Sequence, residues 1–188
     1  DPEAGKTARR RYAQLMPWQD TPQGYGRAVL AGRLEAAEDA VVATLRDLLR
    51  RRLEYVKRDG DRFFDAAQNA RLVASAERYY RAMFRSSAES WNLRDSHMFE
   101  TLRSLLAYYG PTSKGIVWAH NSHVGNASAT EMLARHEHNL GQLCRRAFGD
   151  AARLVGFGTD HGTVAAASDW DEPVQIMTVR SGHPESYE

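Results

Sequence analysis

At Pro111 the hydrophobic pattern of the chain changes period, and no other feature constrains the fold as much. Before it, apolar residues fall three or four apart, as in Leu30, Leu34, Ala37, Val41, Leu45 and Leu48, the spacing of one helix face. After it, apolar runs are short, β-branched and punctuated by glycine, as in Gly115-Ile116-Val117-Trp118-Ala119-His120. The chain therefore divides into a helical region, 1–110, and an α/β segment, 111–188. Charge follows the same division, with 19 basic and 15 acidic residues before the boundary and 6 and 9 after it.

The helical region reads as three long helices forming a hairpin or bundle. Thr21-Pro22 is an N-cap followed by proline at the first helical position, and it opens a helix running to about Lys57. Gly24, Gly26 and Gly32 weaken its first turns, and Asp59-Gly60-Asp61 ends it. Asp65 with Gln68 resembles a capping box for a second helix over 66–84, whose stripe is Leu72, Val73, Ala76, Tyr79, Tyr80 and Met83. A third follows Ser86-Ser87 and stops at Gly110-Pro111. Arg50-Arg51-Arg52 lies beside Asp47 and Glu54, which makes it a solvated helix face and not a nucleic-acid patch. A net charge of +1 agrees, since no strong electrostatic partner is implied for the whole chain.

In the second region Gly115–His120 reads as a buried strand, Leu140–Phe148 as a helix, and Arg153–Gly158 as another strand. Strand, helix, strand is a βαβ unit and predicts a parallel sheet. Residues 163–167 and 174–179, around the turn Trp170-Asp171-Glu172-Pro173, read as a C-terminal β-hairpin. Hydrophobic residues make up 43% of the chain, enough for a packed core, yet no apolar run approaches the roughly 20 residues needed to cross a bilayer. Cys144 is the one cysteine, so no internal disulfide forms and a cytoplasmic location is expected.

Ligands of parallel sheets bind beyond the carboxyl ends of the strands, where the first strand delivers His120-Asn121-Ser122-His123. Two imidazoles with an amide between them can supply a proton acceptor, a donor and an orienting hydrogen bond. They can equally be one satisfied and one exposed histidine. His161 could approach from the end of the second strand. A metal is not expected, because HExxH and a third ligand are missing, and His136 and His138 read as surface residues. No G-x-S-x-G nucleophile elbow occurs, and Cys144 reads as a small buried hydrophobe. Trp91-Asn92-Leu93-Arg94-Asp95 places an amide, a guanidinium and a carboxylate at the entrance of the third helix, where Asp95 suits a helix N-terminus and Arg94 can hold a carboxylate. Capping with an internal ion pair is the other reading.

Three segments in order, Ser90-Trp91-Asn92-Leu93-Arg94-Asp95-Ser96-His97-Met98, Gly115 to Val124, and Asn139-Leu140-Gly141-Gln142-Leu143, resemble the erythromycin esterase family, some members of which carry the label succinoglycan biosynthesis protein. Asp65 to Ala70 and Gly156 to Thr159 extend the likeness over nearly the whole chain. The resemblance implies an α/β domain with a helical insertion, and hydrolysis of the lactone ester of macrolides by base-activated water, without cofactor, metal or acyl-enzyme. It makes His120 and His123 catalytic, as oxyanion stabiliser or acid to the leaving alkoxide. Asn121 would orient them, and Asn92, Arg94, Asp95 and His161 would contact substrate or brace the cleft. The family's general base lies in an N-terminal motif, G-E-x-x-H-G, that these residues lack. The expected partners are thus a small ester or macrolide and an N-terminal portion of the same enzyme, and the end at Ser186-Tyr187-Glu188 reads as early for the family. A sheet without its first strands leaves an open edge and a tendency to self-associate. The alternative is a non-catalytic ligand- or partner-binding module derived from the family.

Overall fold

The structure, a computed structural model, describes residues 1–169, 172–182 and 184. The turn residues Trp170 and Asp171 and the closing Ser186-Tyr187-Glu188 lie outside the described residues. Two compact units are present, Asp1–Ala152 and Arg153–Glu188. The grammar of the sequence divides at 110/111, whereas the compact units divide after 152, because a helix at 140–148 packs on the third long helix.

The single helix expected over 22–57 is three: α2 (Pro22–Leu30), α3 (Glu38–Arg50) and α4 (Arg52–Arg58), preceded by α1 (Pro2–Tyr12). Gly32, at φ +67°, adopts the left-handed conformation that ends α2. The apolar spacing misleads here because Leu34 and Ala37 lie in the loop after α2 yet still turn inward. Ala37 joins Tyr25 and Val41 in the central core cluster, against which Leu34, Val73 and Tyr80 pack. A polar strut runs through that core. The Tyr25 hydroxyl accepts from the Ala37 N–H and donates to Glu77 Oε1, both at 2.7 Å, and Arg81 bridges Glu77 to Glu38 at 2.8 and 2.7 Å. Buried polar groups need such partners, so the strut ties α2, the loop and α3 to α5 (Gly60–Ala82).

Asp59 opens α5, not Asp65, its side chain accepting from the Arg62 N–H at 3.0 Å. Asp65 sits within the helix, because the true cap lies six residues upstream of the expected one. Ser86 caps α6 (Ser87–Tyr109), and Gly110 stops it. The two form an antiparallel hairpin, with Phe64 stacked on Tyr108 at 4.1 Å between centroids and Arg71 reaching Ser104 at 3.4 Å. One short turn, α7 (Asn121–Val124), and α8 (Leu140–Phe148) complete the first unit.

The expected parallel βαβ sheet is not formed. Segments 115–120 and 153–158 carry no strand, although α8 between them has the expected bounds. Valine, isoleucine and tryptophan favour extended backbone, but a strand exists only where a neighbouring backbone pairs with it. Ile116 is 95% exposed. Among the described residues the strands are β1 (Thr163–Ala166) and β2 (Gln175–Thr178), the expected C-terminal hairpin, antiparallel with Thr163 opposite Thr178 and Ala166 opposite Gln175. The fold is thus mostly helical, 60%, with one small sheet. Among the described residues, no helix is long and apolar enough to cross a membrane.

Candidate functional site

Three anchors hold the one-turn helix α7. His120 caps it, its Nδ1 accepting from the Ser122 N–H at 3.3 Å and lying 2.9 Å from Ser122 Oγ. Buried Asn139 donates from Nδ2 to the Ser122 carbonyl at 2.8 Å, and its Oδ1 accepts from Ala127 N–H and Gln142 N–H. Gly141 lets the start of α8 press against the end of α7, for a Cβ there would collide with the carbonyl oxygens of Gly125 and Val124. Asn121, exposed, is the first residue of the turn and His123 the third.

Across from α7, α6 presents Trp91 and Asp95 on one face, four residues apart. Asp95 is wholly buried, and its carboxylate oxygens lie 2.9 and 3.0 Å from His123 Nδ1. Oδ2 also accepts from the Leu140 N–H at 2.8 Å, so the helix N-terminus beside Asp95 is that of α8 and not of its own helix. Trp91 stacks on His123 with centroids 4.7 Å apart and planes 4° from parallel. The Arg94 guanidinium sits 4.8 Å over the Trp91 ring and brings a nitrogen to 3.5 Å from His123 Nε2.

These contacts assign protons. A carboxylate only accepts and a backbone N–H only donates, so His123 Nδ1 is a donor to Asp95 and His120 Nδ1 an acceptor from Ser122. His123 then carries its proton on Nδ1, given to Asp95, and His120 carries its own on Nε2. As neutral rings the two are then in opposite tautomers, with His123 Nε2 facing the Arg94 guanidinium at 3.5 Å.

The profile of the family described as erythromycin esterase matches residues 1–188. The chain belongs to the erythromycin esterase family. No solved structure matches it. Membership supports a hydrolase-family origin for the chain, and the segments that carried the resemblance are those that meet in this corner: Trp91, Arg94 and Asp95 from the first, His120 to His123 from the second, Asn139 to Gly141 from the third.

Asn92 is committed elsewhere. Its Nδ2 donates to the His136 carbonyl and its Oδ1 accepts from the His138 N–H, both at 2.9 Å, while Trp91 Nε1 donates to the His138 carbonyl at 2.8 Å. Its amide therefore staples the loop before α8. His138 is not the surface residue its polar setting suggests, being half-buried with Nε2 2.8 Å from Ser96 Oγ. His136 is exposed. His161 belongs to the second unit, where its Nδ1 lies 2.7 Å from Asp160 Oδ2. Cys144 is half-buried, and burial pushes its thiol pKa up, away from a reactive thiolate. Among the described residues no three His, Cys, Asp or Glu side chains converge on a metal position. A cavity of about 1020 Å³ opens between α1, α3, α4 and α5, floored by Tyr12, Leu48, Phe63 and Val73, and none of these site residues lines it.

Sequence reasoning missed the roles of Trp91, Ser122, Asn139 and Gly141. The helical spacing of Trp91 and Asp95 was the available signal, since residues four apart share a face and adjacent residues such as Arg94 and Asp95 do not.

Proposed function

We propose that this chain supplies the two-histidine half of an ester-hydrolysing site, in which water attacks an ester or macrolactone carbonyl with no covalent acyl-enzyme. The observation that carries the reading is the placing of His120 and His123 at one turn of helix, with His123 anchored on the buried Asp95 carboxylate. His120 Nε2–H donates to the oxygen on which negative charge develops, and a fixed donor of this kind stabilises the transition state more than the ground state. His123, with Nδ1–H committed to Asp95, takes a proton from solvent at Nε2, is held as imidazolium by the Asp95 carboxylate, and passes that proton to the departing alkoxide, while the proton that the upstream base removes from water returns to solvent. The Arg94 guanidinium adds positive charge at the same edge. The base that takes the proton from the attacking water is the histidine of a G-E-x-x-H-G segment outside these residues, so that each proton removed from water has an acceptor and each alkoxide a donor.

The test is substitution in an ester-hydrolysing protein that contains this chain. His120→Ala should lower kcat by about 10²–10⁴ with little change in melting temperature, and His123→Ala should lower kcat by as much while also losing stability, because it leaves the buried Asp95 carboxylate short of its partner. Variants that keep their turnover while losing stability would mark the histidines as structural.

A further inference from the structure

We infer that Asp95 is a positioning residue of the site, fixing His123 as the Nδ1–H tautomer and so keeping its Nε2 unprotonated; this rests on the proposed hydrolase reading only for its consequence in turnover. A bound role for Asp95 in substrate contact does not fit its burial, since no part of it is exposed. Helix capping alone does not explain it either. Asn139 already caps α8 through Gln142 N–H, and the single Leu140 N–H that Asp95 accepts could be met by a neutral oxygen. A buried carboxylate is costly unless paired, and the group that faces both of its oxygens is the His123 imidazole. The stack of Trp91 on His123 limits tilting of the ring, and the carboxylate limits its rotation within that plane. Leu140 N–H holds Asp95 in turn, so the start of α8, Asp95 and His123 form one rigid series.

An asparagine at 95 keeps the shape and the acceptor for Leu140 but can present an N–H₂ to His123. Nδ1 must then accept, and the proton moves to Nε2. The measurement is the nitrogen protonation pattern of the histidines, read by long-range ¹H–¹⁵N correlation on the 188-residue chain labelled with ¹⁵N-histidine, at a pH where the rings are neutral. The wild type should show His123 protonated on Nδ1, and Asp95→Asn should show it protonated on Nε2. A wild-type His123 protonated on Nε2, or a folded Asp95→Asn chain with an unchanged pattern, overturns the inference; if the variant does not fold, the wild-type pattern alone decides. In an ester-hydrolysing form, Asp95→Asn should lower kcat by about 10²–10⁴ with KM nearly unchanged, as for a histidine held in the wrong tautomer, and an inverted tautomer with full kcat would also overturn it. A wild type that hydrolyses no ester counts against the hydrolase reading and leaves the tautomer result to stand by itself.

Discussion

Tyr25 shows how a single side chain can join distant parts of this chain. Its hydroxyl accepts from Ala37 N–H and donates to Glu77, and both partners are buried. Tyr25→Phe leaves a buried N–H and a buried carboxylate short of a partner, and should cost about 1–3 kcal/mol in a denaturant titration. Burial, followed by the neighbouring Glu77, pushes the Tyr25 pKa from its ordinary 10.0 up to about 12. A raised pKa favours the protonated phenol in the folded state. The stability it contributes is therefore full below about pH 10 and is lost as pH rises through about 12. Melting temperature measured across that window should fall, and should fall less in Tyr25→Phe; parallel pH profiles would show that Tyr25 is not the group responsible. At this scale the sequence was legible in residue type but not in pairing. His120, His123 and Asp95 are all legible as candidates, yet Asp95 reads as suited to the N-terminus of its own helix, because the partner 28 residues away at His123 is fixed by tertiary packing.

Elements with chemical stops were legible, and elements that need a partner were not. Ser86 and Gly110 mark α6 by local backbone chemistry, and those limits hold, as do the expected bounds of α8. The break at 31–37 was hidden because Ala37 keeps a buried, helix-like position while its backbone is in a loop. The strands at 115–120 and 153–158 failed for the complementary reason, since strand residues record a preference and not a neighbour. Gly141 gives this scale its test. Alanine there must push α8 away from the Val124 and Gly125 carbonyls, an overpacking that costs about 1–3 kcal/mol. It should also shift the ¹⁵N signals of His120 and His123, as α7 moves with its support. A Gly141→Ala chain of unchanged stability and unchanged histidine signals would show that α8 does not hold the site.

For the molecule as a whole, family membership and a mostly helical fold are established, while the reaction rests on the geometry of one corner. Ile116 at 95%, Ile176 at 74% and Val155 at 65% exposure leave apolar surface open on extended backbone, where chains pair readily. Sedimentation velocity of the purified chain should show association that grows with concentration, and a sharp monomer throughout would rule out such pairing. The central claim is that these residues hold one half of a hydrolytic site. Its most direct measurement is hydrolysis of p-nitrophenyl butyrate and of a macrolide by the chain alone, by the chain joined to a segment bearing G-E-x-x-H-G, and by the His123→Ala form of each. The account predicts background rates for the chain alone, turnover on joining, and its loss in His123→Ala. Turnover by the chain alone that disappears in His123→Ala would show the site complete within these residues, and turnover of the joined protein untouched by that substitution would show that the chemistry lies elsewhere.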